Sequence, residues 1–398
     1  MDEWISKGLL LAGLTAAVTV VTWAVLRRPA AAQAAPPPAA PAPAEPLVAP
    51  GDHTGTPLFP ALDEKRKRWG YIDAGGRFLL APQYAGAFPF SEGLAFAWTA
   101  DDGRLVCIDA QNREQFTLTN PLPHGWIVPE GGFRGGRARV VVQGTGSGNR
   151  STYVDTRGAL LGPPRFARAH AFADGLAAVE VGGKWGFLAP DGSFALKPAW
   201  AEVFDFSDGL AAVVVKKRMG YIDRAGKLVI PARYPLALPF AEGLAPVQPG
   251  SAEAGDTTEM GYIDRAGKLV LAPRYGHALP FSEGRARVHT GPGDRLGFID
   301  KSGKLVVPAV YLQASDFKGG RAAVRSDVLW GYVDPGGALV IPAVYEVAGD
   351  FVDGLARVRR RGDDHVLREG YIDTAGTWIH GWRVDELGHG EPAPVADP

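Results

Sequence analysis

The chain is poor in sulfur, with one cysteine and three methionines in 398 residues. A single thiol, Cys107, excludes an internal disulfide, and no Cys/His spacing resembles a zinc site, so Cys107 reads as a small buried hydrophobe. Net charge is missing as well: 42 Lys and Arg stand against 43 Asp and Glu, a formal −1. That balance removes the electrostatic argument for nucleic acid or an acidic lipid surface as a partner. No H-E-x-x-H, G-x-S-x-G, Walker-type loop or C-x-x-C occurs, which leaves hydrolytic, nucleotide-binding and redox templates without support. The glycine-rich stretch GTGSGN from Gly144 falls between two predicted strands and lacks the helix that lets such loops hold phosphate, so it reads as a hairpin connection. The eight histidines are scattered. Catalytic residues, cofactors and metal ligands are accordingly all read as none.

What is present begins with an uncharged run, GLLLAGLTAAVTVVTWAVL, from Gly8 to Leu26. It is long enough to cross a hydrocarbon layer as one helix, with Trp4 and Trp23 near its ends and Arg27-Arg28 as a stop. Residues 1–28 are therefore predicted to be an uncleaved membrane anchor. The rival is a signal peptide, because Ala32-Gln33-Ala34 offers a cleavage-like site. The Ala/Pro-rich segment 29–57 reads as a semi-rigid spacer. A spacer suits a domain held away from a membrane, so the remainder is expected on the extracytoplasmic side of an inner membrane, although Arg27-Arg28 argue for the cytoplasmic face. Residues 383–398 are expected to be a disordered tail.

Between spacer and tail the sequence repeats itself. MGYIDRAGKLV occurs at Met219 and again, letter for letter, at Met260. Related segments start at Trp69, Leu105, Ser151, Trp185, Leu296, Trp330 and Glu369, which gives about nine units over residues 58–382. Internal repetition on this scale signals a stacked or radial array. Each copy holds two short β-branched and aromatic runs around D-x-x-G, a hairpin whose turn is initiated by Asp and closed by a glycine at positive φ. Asn112 takes the glycine's place in one worn copy. An aromatic, a short passage and a Phe follow, as in YPLALPFAEG from Tyr234. A further strand comes next, in which small residues recur two apart. Three strands per unit would reverse direction in successive units, so the aromatic-to-Phe segment must act as a return passage.

These motifs resemble the WG-repeat family of bacterial proteins, whose pattern is Trp-Gly-Tyr-Ile-Asp, then Gly-Lys-Leu-Val-Ile-Pro, an aromatic, and Phe-Ser-Glu-Gly-Leu-Ala. Met219, Met260, Leu296 and Glu369 depart from it at the Trp position. The resemblance implies β-rich interaction or surface modules and carries no catalytic residues to transfer. The expected fold is all-β: tandem meander repeats of roughly 34 residues in an open, curved, solenoid-like array, with a closed propeller-like ring as the alternative.

Glu92, Asp174, Asp208, Glu242, Glu283 and Asp353 recur just before the strand glycine. Equivalent repeat positions give like environments and wide separation, which suits turn or backbone caps rather than the paired carboxylates of glycoside hydrolysis. The function expected is a non-catalytic scaffold for a protein or envelope-polymer ligand. The alternative is an envelope hydrolase whose site lies among the insertions, for which a pocket holding two or three carboxylates, or a His–carboxylate pair, drawn from different repeats would be the sign. The longest insertions fall at one hairpin position, and loops varying at one position tend to collect on one face. Its candidate rim is Glu253, Asp256, Glu259, Asp294, Arg360, Arg361, Asp363, Asp364 and His365.

Overall fold

The computed structural model describes residues 55–384 except 120, 122–125, 144–147, 251–257 and 291–294. The regular elements among them are β-strands, grouped in eight sheets. No helix among the described residues is long and apolar enough to cross a membrane. The predicted anchor, all but the last three residues of the spacer, and the tail beyond Val384 lie outside the described residues. Two compact units are formed, one by residues up to Leu118 together with those from Trp382, the other by Thr119–Gly381.

The second unit shows how one copy folds. Leu236–Ala237, Leu244–Gln248, Met260–Asp264 and Leu269–Tyr275 pair in chain order as an antiparallel meander. The expectation of three strands per unit is corrected here. The aromatic-to-Phe passage is itself a strand, the first of the next sheet, and where it is too short for that it still makes a single bridge, as Val203 does with Val213. Four strands restore direction, so identical sequences meet identical surroundings. Nine motif copies occupy eight sheets because the long strand Phe78–Ala87 serves two copies and joins them into one six-stranded sheet.

The glycine after the signature aromatic has a steric reason. Between Met219 and Tyr221 the register to the fourth strand shifts, which brings that strand's backbone over Gly220. A Cβ there would lie 2.5 Å from the Ile230 carbonyl oxygen and 2.7 Å from the Ala232 nitrogen. The tyrosine that follows is buried and meets the Phe of the next passage edge-on, with ring centroids 4.8 Å apart for Tyr221 and Phe240. Such pairs add stabilisation beyond area burial. Its hydroxyl donates to the Leu238 carbonyl at 2.7 Å. Tyr71, Tyr153, Tyr262 and Tyr332 bond the carbonyls of Phe88, His170, Leu279 and Gly349 in the same way. Burial pushes the Tyr221 phenol well above its ordinary value, so it remains a donor.

Within the first unit, Trp382 packs edge-on against Trp69 with ring centroids 5.3 Å apart, and the Arg383 amide donates to the Glu64 carboxylate. Residues from the two ends of the described chain thus fold together within this unit.

Candidate interaction edge

In each four-stranded meander the turns between strands one and two and between strands three and four fall at one end of the sheet. The connection between strands two and three falls at the other. The two ends differ in chemistry.

The first end is constant, and internal bonds occupy its charged groups. Asp223 Oδ1 accepts the amides of Ala225 at 3.0 Å and Lys227 at 2.9 Å. Asp73, Asp155, Asp264, Asp300, Asp334 and Asp373 do the same in their copies. Gly226 closes its turn at φ +77. The acidic residues before the strand glycine also cap backbone, as expected, but across repeats. Asp174 accepts the Gly209 amide at 2.9 Å, Asp208 that of Gly243 at 2.7 Å, and Glu283 those of Gly319 and Gly320 at 2.8 and 2.9 Å. Each of these acids sits at positive φ, 47° for Asp174 and 51° for Asp208, beside a glycine that does likewise. Positive φ at both central residues is the geometry of a two-residue hairpin turn.

Basic residues complete this end. Arg137, Arg285 and Arg321, each just after a strand glycine, donate to the carbonyls of Pro190 at 3.0 Å, Pro335 at 3.0 Å and Thr374 at 3.2 Å. Where leucine holds that position, at Leu176 and Leu244, the cation comes from the opposite side. Arg224 then donates to the Asp174 carbonyl, and Lys301 to that of Glu242 at 3.1 Å. Each of these junctions has one cation, supplied from either side.

The second end carries the insertions and most of the predicted rim. Glu253, Asp256 and Asp294 lie outside the described residues. Glu259 is exposed just before the strand Met260–Asp264. Arg360 and Arg361 end the strand Leu355–Arg361, and Asp363, Asp364 and His365 form the tip that follows. The Arg360 guanidinium stacks on Trp378 at 4.7 Å. Arg361 pairs with Glu346 at 2.9 Å and donates to the His365 carbonyl at 3.3 Å. Asp364 takes both terminal nitrogens of Arg368, at 2.8 and 2.5 Å, which holds its carboxyl below the usual range. His365 adopts φ 59° at the turn. The last copy's tip is thus a shaped, mixed-charge surface rather than a loose loop.

Sequence reasoning missed the buried centre beneath that tip. Glu369 replaces the signature Trp and is only 7% exposed. It pairs with Arg357 and, at 3.0 Å, with Arg359. The visible signal was the combination of Glu369 with arginines at alternate positions of the preceding strand. Arg287, at the corresponding place in another copy's strand, is likewise ion-paired, with Asp316 at 2.8 Å.

One feature named as a sign of an enzyme is present. His170 Nδ1 lies 2.8 Å from Asp205 Oδ1, and these residues belong to neighbouring copies. The imidazole also tilts against Trp185, ring centroids 4.9 Å apart. Among the described hydrogen bonds no hydroxyl or thiol meets the His170 ring; the Tyr153 hydroxyl donates to the His170 carbonyl instead, and a nucleophile is what such a pair would activate. Cys107 is buried, and burial pushes its thiol up to about 12, away from nucleophilic use.

The repeat can now be matched beyond this chain. A family model described as WG containing repeat matches residues 69–97, 152–185, 185–218, 219–249, 260–290, 297–327 and 330–362, together more than half of the chain. The chain belongs to the WG containing repeat family. No curated protein matches it. Among solved structures, a puromycin hydrolase is similar at 12% identity and TM-score 0.37, over 64% of this chain and 53% of that one. A structure from a study of two prolyl endopeptidases is similar at 11% and 0.42, over 65% and 49%. Virginiamycin B lyase from Staphylococcus aureus is similar at 11% and 0.31, over 61% and 90%. The match spans about half the length of the first two. No activity passes to this WG-repeat chain from likeness at that level.

Proposed function

We propose that this WG-repeat protein is a binding scaffold that presents the variable ends of its sheets to a protein or envelope-polymer ligand. One observation carries this reading: the two ends of the sheets divide their labour. At the constant end the recurrent acids and bases are engaged in bonds to backbone, within their own turn or between copies. At the variable end, length and charge change from copy to copy, which is how repeat proteins build a binding face. Glu259, Arg360, Arg361, Asp363, Asp364 and His365 belong to that face. The apolar run Gly8–Leu26 and the spacer behind it supply a tether, with the repeats on the extracytoplasmic side.

The His170–Asp205 pair is the one observation favouring a hydrolase, and the absence of a bonded nucleophile weighs against it. The test replaces Ser251–Thr258 and, separately, Gly362–Val366 with short Gly-Ser links and repeats affinity capture from native membranes. Loss of the same partners from a folded variant is expected. If both folded variants retain every partner of the parent protein, the variable ends are not the binding surface.

A further inference from the structure

We infer that His277 and His289 form a binding site for a divalent transition-metal ion of the zinc, nickel or copper type. The two residues are direct cross-strand partners on His277–Ser282 and Arg285–Thr290, the first two strands of one sheet. Side chains directly opposite on an antiparallel pair share one face of the sheet, with Cβ atoms about 4.5–5.5 Å apart. Their rings stand 5.8 Å apart between centroids with planes crossed at 66°. One nitrogen from each ring, at about 2.0–2.1 Å from a shared ion, is compatible with a ring separation of that size. In such a site the other nitrogen of each ring keeps a hydrogen-bond partner that sets the ring's orientation. Both residues are half-buried. The backbone beneath them is a paired sheet, which holds two ligands more firmly than a loop does.

The repeat supplies the control for this reading. At the same register the neighbouring sheets pair Leu236 with Gln248, Gln313 with Arg325, and Val347 with Arg359. The ladder at this register therefore forms in other copies without an imidazole pair. Of the eight histidines in the chain, two coincide at one cross-strand pair. Imidazole is the ligand type that suits zinc, copper and nickel. Among the described residues no group of three or more His, Cys, Asp and Glu is arranged for a metal. The site would thus be a two-ligand one whose remaining positions are taken by water or by a group from a bound partner, an open coordination rather than a closed structural centre.

The experiment is calorimetric titration of the full chain with Zn2+, and with Ni2+, beside a variant carrying His277→Leu and His289→Gln. That variant recreates the Leu236–Gln248 pair of the preceding copy, so its fold is expected to survive, and its metal-free melt checks this. Single variants His277→Ala and His289→Ala complete the set. The expected result is binding of one ion by the parent chain, weakened about tenfold or more in each single variant and abolished in the double variant. Titration of Cu2+ followed by electron paramagnetic resonance should show nitrogen coordination in the parent alone. Absence of saturable binding to the parent, or equal binding by parent and folded double variant, overturns the site.

Discussion

At the residue scale, the repeat's two recurrent glycines do different work. Gly226 is required by conformation, at φ +77, and its Cβ would also come 3.0 Å from Leu196 of the preceding copy. Gly220 is required by space, because the fourth strand's backbone crosses it. Gly220→Ala is therefore expected to lower stability by about 1–3 kcal/mol, the range for overpacking a site that cannot relax. Lys227→Ala, on an exposed turn where the amide rather than the side chain is held by Asp223, should stay within about 0.5 kcal/mol of the parent. Denaturant melts of the two variants make the comparison, and equal midpoints would contradict the close approach. The positive φ was legible from D-x-x-G because a turn is a local matter. The crowding at Gly220 was not, since it depends on a register shift against residues ten or more positions away.

At the scale of the element, the sheet junctions are specified by reciprocal choice. Arg321 reaches the Thr374 carbonyl, whereas Leu244 leaves the same task to Lys301. Arg321→Leu should cost about 1 kcal/mol, since the lost bond is charge-assisted yet partly solvated. Adding Thr374→Lys converts this junction to the Leu244–Lys301 form and should recover most of the loss, a coupling that a double-mutant cycle measures. Additive losses would mean that the basic residues do not serve one shared contact. The recurrence of Arg or Leu after the strand glycine is visible in the sequence. Its partner lies 50 or more residues away, beyond the reach of periodicity.

At the scale of the whole molecule, the first compact unit draws on both ends of the described chain. Trp382 is 1% exposed and rests on Trp69. Truncating a fully buried Trp typically costs about 3–5 kcal/mol, so Trp382→Ala should lower the melting temperature of the full chain well below that of the parent. Intrinsic fluorescence and calorimetry would follow it. An unchanged melt would show that the packing of Trp382 on Trp69 contributes nothing to stability.

The sequence by itself determined the all-β class, the repeat and its copies, the Asp-capped turns and the role of the acids as caps. Each of these follows from backbone preferences and hydrogen bonds within a few residues, which every copy states again. Tertiary structure alone decided that the return passage is a fourth strand, which carbonyl each Tyr hydroxyl meets, and which side of a junction supplies the cation. It alone also decided that Glu369 is buried between arginines, that His170 meets Asp205, and that Trp382 reaches Trp69. Those facts concern groups distant along the chain, and side-chain chemistry at one position is silent about which distant group packing will bring to it.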